Sequence, residues 1–345
     1  MTEEKLYFAS DYMEGALPDI LKRLEETNME QTAGYGEDEY SAQAKEKIKK
    51  ACNAPEADIY FLIGGTQTNL LAISALLSPW QGVMATETGH IAVHEAGAIE
   101  HGGHKVLTLP HKNGKIEAKD IASCIKKWED DANRDHMVMP GMVYLSHPTE
   151  YGTLYTKKEL EDISAVCREK KIPLYLDGAR LAYALGSEEN ELTLPDIARL
   201  CDAFYIGGTK CGTLFGEALV FPKAETAPHF ISFMKMKGAV LAKGRITGIQ
   251  FDTLFTNDLY TKAGRHGVET ANLIRKALKE KGYEQVYENN TNQIFLVLSE
   301  EKLKQLEKHI TFGFWENKEE GKKIMRIATS WATKKEDAEK LINLL

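Results

Sequence analysis

A chain of 345 residues, 43% hydrophobic and 27% charged, holds enough apolar material for one large folded unit and a smaller one. Its formal net charge of −8, with no dense Lys/Arg block, argues against nucleic acid or an anionic membrane as partner and favours small molecules. Met1 to Ser10 carries Glu3 and Glu4 and no apolar core, so it does not read as a secretory signal. The five scattered cysteines form no Cys-x-x-Cys pair, which points to a reducing, cytoplasmic setting without a disulfide framework.

Short apolar runs alternate with helical patterns through the first two-thirds of the chain, the rhythm of a mostly parallel sheet covered by helices. The run at residues 57–65, "ADIYFLIGG", reads as a strand entering a glycine turn, and "TNLLAISALL" (68–77) as the helix leaving it. Residues 59–86 carry no charge over a length that would cross a bilayer, but the turn at 64–69 and Ser78-Pro79 interrupt them. Further strands are expected at 82–87, 104–109, 141–147, 172–179, 203–208 and 217–222, which makes seven. In "TKKELEDISAVCREKKI" (156–172) Leu160, Ile163, Val166 and Cys167 share one helix face.

Beyond residue 235 the rhythm changes. A helical stretch is expected over 247–281, then strands at 293–299 and 323–330 and a terminal helix from Lys334. The expected division is a large α/β domain over 1–235 and a smaller α+β domain over 236–345, with the charged stretch 316–323 as a solvated loop.

In open α/β sheets ligands sit at the carboxyl ends of strands. "GGTQTN" (64–69) offers backbone N–H groups and a hydroxyl to a phosphate at a helix N-terminus, or else serves turn geometry alone. Asp177 ends the run "LYLDGAR"; it either pairs with Arg180 as a structural ion pair or holds a proton on a cofactor's ring nitrogen. Lys210, within "YIGGTKCGTLFG", is flanked by small residues and suits attack on an aldehyde if its pKa is lowered. Phosphate turn, aspartate and lysine together suggest pyridoxal 5'-phosphate. The histidines His90, His94, His101 and His104 offer a rival reading as metal ligands, although the zincin His-Glu-x-x-His pattern fails at Ala98; His90 suits stacking on a flat cofactor equally well.

Eight segments in order carry a resemblance: "FASD" (8–11), "GYGEDEYS" (34–41), "GGTQTN" (64–69), "TGHIAVHEAGA" (88–98), "LSHPTEYGTLY" (145–155), "LDGARL" (176–181), "GGTKCG" (207–212) and "MRIATSW" (325–331). The chain resembles the low-specificity L-threonine aldolases, fold-type-I enzymes dependent on pyridoxal phosphate, of the beta-eliminating lyase group. The resemblance implies an α/β fold with a mostly parallel seven-stranded sheet. It implies Lys210 as the lysine bonded to the cofactor, Asp177 as the ring-nitrogen partner and Arg180 at the phenolic oxygen. Gly65 and Thr66 would hold the phosphate, with His90 stacked on the ring and Asn69 in support. Ser10 and Arg326 would bind the substrate carboxylate, Tyr35 would stand at a subunit boundary, and His147 near the substrate side chain.

Departures fall at Pro148-Thr149-Glu150, where the family has Asn-Asn after its histidine, at Thr209 and Cys211 around the lysine, and at Ala242, where the family has an arginine that reaches the neighbouring subunit's phosphate. Lys237, Lys243 or Arg245 is expected to substitute for that charge. The expected reaction is retro-aldol cleavage of a β-hydroxy-α-amino acid to glycine and an aldehyde, with His90 or His147 as the base. A transaminase, a racemase or a β-eliminating lyase would use the same cofactor residues; a non-catalytic metal-binding protein would use the histidines. A homodimer or homotetramer is expected.

Overall fold

The computed structural model describes residues 5–319 and 321–345. A short strand, β1 (Leu6–Tyr7), opens the chain. The seven apolar runs become β2 (Asp58–Leu62), β3 (Gln81–Thr86), β4 (Val106–Leu109), β5 (Met139–Ser146), β6 (Leu174–Asp177), β7 (Ala203–Gly207) and β8 (Glu217–Phe221). They form one sheet in the order β2-β8-β7-β6-β5-β3-β4. Every neighbouring pair is parallel except those of β8, which runs antiparallel to both β2 and β7.

Strands β6, β7 and β8 are buried along their whole length, since helices cover both sheet faces. Alternation divides the core. Val143, Leu145, Leu174, Leu176, Phe204 and Ile206 pack on one face, and Met142, Tyr144, Tyr175, Ala203 and Tyr205 on the other. The helix after β2 begins at Gly65, three residues before the expected Thr68, so Gly65 and Thr66 lie in its first turn. The helix Lys157–Lys170 starts where Thr156 and Glu159 cap one another reciprocally.

Two expectations need correction. The helix foreseen over 247–281 is two, Arg245–Leu254 and Leu259–Glu280. Asn257 and Asp258 both take positive φ between them, a conformation short polar side chains tolerate better than most. The first helix packs on Glu39–Cys52 and the second on Leu181–Leu185 and the C-terminal helix Lys335–Leu344. The charged stretch 316–323 is not a plain loop but the tip of a hairpin.

That hairpin belongs to a second sheet. After β9 (Gln285–Val286), β10 (Gln293–Ser299) and β11 (Ile310–Thr311) come β12 (Gly313–Lys318) and β13 (Lys322–Ala328), and β12-β13-β10-β9 form an antiparallel sheet. Strand β1 pairs in parallel with β11, and Ala328 N–H donates to Phe8 C=O at 2.9 Å. The first strand is thereby anchored beside the last, and residues 9–12 are delivered toward the large sheet's edge.

Candidate active site

At the carboxyl ends of β5, β6 and β7 a cavity of about 290 Å³ is walled by Gly64, Gly65, Thr66, His90, Ser146, Glu150, Asp177, Arg180, Lys210 and Glu217. The loop from β7 to β8 fixes Lys210 by its backbone: Cys211 N–H donates to Gly208 C=O at 2.7 Å, and Tyr183 OH to the Lys210 carbonyl at 2.6 Å. Gly208 has to be glycine, because a Cβ there would stand 2.5 Å from the Gly216 carbonyl oxygen. Burial, and next the charge of Arg180, push the Lys210 ammonium below the usual lysine range.

Asp177 is saturated with donors. Its Oδ2 accepts from Tyr144 OH at 2.7 Å and Asn69 Nδ2 at 3.0 Å, and its Oδ1 from Ala179 N–H at 3.0 Å. Burial by itself would raise its pKa, but His90 and the hydroxyls of Tyr205 and Tyr144 outweigh burial and hold it below the usual range. The ion pair between Asp177 and Arg180 does not form. Arg180 follows the strand end and its guanidinium meets Asp11 instead, Nε donating to Oδ2 at 2.6 Å and Nη2 to Oδ1 at 2.9 Å. Asp11 is fully buried and also accepts from Asn292 Nδ2 at 2.8 Å. Against the burial that would raise it, Arg180 brings Asp11 down to about 2.

His90 and Asp177 belong to one network. His90 Nδ1 lies 2.7 Å from Glu95 Oε1, and Glu95 Oε1 accepts from Asn69 Nδ2 at 2.7 Å. The carboxylate makes Nδ1 the protonated nitrogen and leaves the lone pair on Nε2. Asn69, fully buried, ties Glu95 to Asp177 and is itself held by Tyr175 OH at 2.9 Å. It supports the site from behind the cavity wall. Glu150 Oε1 accepts from His90 N–H at 2.9 Å and Ser146 Oγ at 2.6 Å, and burial raises its pKa.

The phosphate turn is built as its sequence suggests. Gly65 and Thr66 open a 12-residue helix with no side-chain cap, so the first N–H groups face the cavity mouth unpaired by a cap. A Cβ on Gly65 would sit 3.0 Å from the Tyr205 hydroxyl.

His147 is not brought to the cavity. Alternation at the end of β5 sends Ser146 inward and His147 to the other side. There its Nε2 meets Asn190 Oδ1 at 3.1 Å and its Nδ1 accepts from Tyr155 N–H at 3.3 Å. Burial pushes it down to about 4, so it is a neutral structural histidine. Of the other histidines of the 90–104 stretch, His94 caps the short helix His90–Val93, His101 ends a second, Ala98–His101, and His104 Nδ1 meets Gln81 C=O at 3.0 Å. Among the described residues no group of three or more His, Cys, Asp or Glu is placed to hold a metal ion.

Arg326 reaches back to the first segment, its Nη2 donating to Ala9 C=O at 3.0 Å and its Nη1 to Gln293 Oε1 at 3.1 Å, while Nε is buried without a partner. Burial, then the charge of Arg180, lowers its pKa. Half-buried Ser10 lies between Ala9, whose carbonyl Arg326 holds, and Asp11, whose carboxylate holds Arg180; neither Ser10 nor Arg326 is among the residues that wall the cavity. Tyr35 lies elsewhere: it is 53% exposed, has Lys235 Nζ 4.5 Å above its ring and lines a separate cavity of about 260 Å³. Of the charges near Ala242, Arg245 is tied to the Thr27 and Glu30 carbonyls and Lys237 lies over Phe233 at 5.9 Å; Lys243 is exposed.

Sequence reasoning passed over Asp11, Glu95, Glu150 and Glu217 as functional groups. Glu217 left the clearest trace, a lone acid opening the apolar run "EALVFP". Asp11 and Glu95 stood inside quoted motifs without a role, because their partners lie far away in the chain.

The family described as beta-eliminating lyase matches residues 8–301. A low specificity L-threonine aldolase of Pseudomonas sp. is 31% identical over 313 residues, 89% of this chain and 88% of that protein. The solved structure of Leishmania major threonine aldolase is 43% identical, with a TM-score of 0.95 over 98% of both chains. Aspartate aminotransferase of Thermus thermophilus, at 14% identity and a TM-score of 0.71 over 99% of this chain and 91% of that one, shares the fold.

Proposed function

The chain belongs to the beta-eliminating lyase family, and from that premise we propose that it cleaves a β-hydroxy-α-amino acid of the threonine or allo-threonine type to glycine and an aldehyde, using pyridoxal 5'-phosphate. The observation that carries the reading is one cavity holding a half-buried lysine of lowered pKa, an aspartate kept ionised without an arginine, and an uncapped helix start bearing Gly65 and Thr66.

The residues present fit that cofactor. Glycine at 65 leaves backbone N–H groups open to a phosphate, and Asp177 is an anion in want of a cationic partner. Gly65 and Thr66 would hold the phosphate, Asp177 the ring nitrogen, Lys210 the aldehyde carbon, and His90 one ring face. Arg180 spends Nε and Nη2 on Asp11 and keeps Nη1 for the phenolic oxygen. When bound, the cofactor supplies the sink for the electron pair released from the broken Cα–Cβ bond.

The chain's own groups do the rest. Arg326 and Ser10 fix the substrate carboxylate, which sets the orientation of the bonds at Cα and prepays the entropy of alignment. His90 takes the β-hydroxyl proton on Nε2, since Glu95 holds Nδ1 protonated. Glu150 holds the His90 backbone and faces the same space, so the base is read as His90 and not His147.

A second copy of the chain is proposed to cover the cavity mouth. Tyr12, which lines the cavity, is 56% exposed, and Met13, Tyr35, Ile63 and Leu214 are exposed as well. In that dimer, or a tetramer of such dimers, Lys243 is the charge that replaces the arginine missing at Ala242. A cytoplasmic setting accords with five free cysteines; no helix among the described residues is long and apolar enough to cross a membrane.

The deciding experiment supplies L-threonine and L-allo-threonine in parallel to the protein loaded with pyridoxal phosphate, with Lys210→Ala as the blank. Stoichiometric glycine and aldehyde that vanish in the blank are expected. Pyruvate or ammonia in their place would transfer the reading to a transaminase or a β-eliminating lyase.

A further inference from the structure

Asp11 is fully buried behind Arg180, which walls the cavity while Asp11 does not. Its two oxygens take Arg180 Nε at 2.6 Å and Nη2 at 2.9 Å, the two-pronged geometry by which one carboxylate fixes the plane of a guanidinium. Nη1 is the nitrogen left outside that pair. The carboxylate is in turn held from the second sheet. Asn292, the residue before β10, donates from Nδ2 to Asp11 Oδ2 at 2.8 Å and to Thr329 C=O at 2.8 Å. Both acceptors lie at one end of the amide, so its nitrogen faces them and Oδ1 is left buried without a partner, at a cost in free energy. The backbone leading to Asp11 is fixed as well: Phe8 N–H donates to Thr311 C=O at 3.1 Å, and Arg326 Nη2 holds Ala9 C=O at 3.0 Å. Glycine at 313 permits that approach, because a Cβ there would stand 2.7 Å from the Ala9 carbonyl oxygen. A buried ion pair adds little stability over well-packed apolar side chains, so stability alone does not account for this one.

We propose that Asp11 is a positioning residue for the cofactor: held by Asn292, it fixes the Arg180 guanidinium so that Nη1 donates to the phenolic oxygen of pyridoxal phosphate, and the protein's preference for that oxygen is set from behind the cavity wall. The inference rests on the cofactor reading above. Asp177, nearer to Arg180 in the chain, does not compete for the guanidinium, since Tyr144, Asn69 and the Ala179 N–H already occupy it. Burial would raise the pKa of Asp11, but the charges of Arg180, Lys210 and Arg326 outweigh burial and keep it ionised, so the clamp holds across the neutral range. Asp11 acts through Arg180 and does not itself touch the cofactor. Its effect is therefore confined to whatever Arg180 reaches.

The test compares two probes on cofactor-stripped protein by equilibrium dialysis: pyridoxal 5'-phosphate and the deoxy analogue that lacks its phenolic oxygen, with Lys210→Ala as the blank. The unaltered protein is expected to bind pyridoxal phosphate about tenfold more tightly than the analogue, the scale of one hydrogen bond to a charged group. Asp11→Asn keeps the shape but turns one acceptor toward Arg180 into a donor. It should bring the ratio near one by weakening pyridoxal phosphate and leaving the analogue unchanged. A merely structural role would weaken both probes alike; that result, or a preference that survives the substitution, overturns the proposal, as does an unaltered protein that shows no preference. Binding of both probes that does not depend on Lys210 would instead bring down the cofactor reading. If Asp11→Asn does not fold by circular dichroism, Asn292→Ala decides, since it removes one donor from Asp11 and leaves the ion pair. A ratio lowered by about threefold supports the clamp, and an unchanged ratio refutes it.

Discussion

The two sheets each carry a cavity with buried charge, and the larger is not the candidate active site. Beside the antiparallel sheet a space of about 770 Å³ is lined by Arg275, Lys276, Lys279 and Tyr287, against about 290 Å³ at the parallel sheet's edge. The difference lies in what the charges lack. Arg275 is spent on its own fold, Nη2 donating to Thr291 C=O at 3.0 Å and Gln293 C=O at 3.2 Å, and burial brings it to about 10. At the parallel edge Asp177 and Glu217 are buried, half-buried Lys210 lines the same cavity, and none of the three is spent on an ion pair among the described residues. Unfulfilled charge, not volume, marks the place where a ligand completes the structure.

Substitutions break that comparison in order of size. Lys210→Ala should abolish turnover and the visible absorbance of bound cofactor together, while Lys276→Ala in the larger cavity leaves both unchanged; an equal loss in both variants would erase the distinction. Asp177→Asn should lower kcat by about 10²- to 10³-fold, the scale of removing one placed electrostatic group, and weaken cofactor retention on dialysis. His90→Asn should lower kcat by about 10²-fold or more, with KM little changed.

His147 sharpens the contrast at the level of stability. Its pKa is depressed to about 4 from an ordinary 6.5, so the unfolded chain binds the proton first, and stability falls as pH drops from about 6.5 toward 4. The loss reaches about 3 kcal/mol by the lower limit. Denaturant titrations of the unaltered protein and His147→Gln should show this slope in the first and a flatter one in the second, with threonine cleavage at neutral pH the same per folded molecule. A slope that survives the substitution would deny His147 the burial described.

How legible the fold was depended on range. The strands β2 to β8 were readable because each is an apolar run bounded by glycine, proline or a helix pattern, and the helix Lys157–Lys170 because its period and cap are local. The break at Asn257 and Asp258 was hidden, since nothing in the apolar period announces two left-handed residues. The hairpin at 313–328 was hidden because its tip is charged and its pairing is tertiary. Strand-end logic identified Lys210, Asp177 and the Gly65 turn. It failed for His147, where a shift of one residue along β5 decides which face a side chain takes.

The sequence by itself determined the α/β class, the phosphate turn, and the lysine and aspartate that end neighbouring strands, because each rests on a local pattern of hydrophobicity and small residues. Only the tertiary structure decided which charges meet. Arg180 pairs with Asp11 across 169 positions of chain, Asn69 joins Glu95 to Asp177, and one reversed strand brings Glu217 to Gly208 N–H, 3.0 Å away in the loop that carries Lys210. Electrostatic partnership depends on distance in space and on burial, and neither is written in the spacing of residues along the chain.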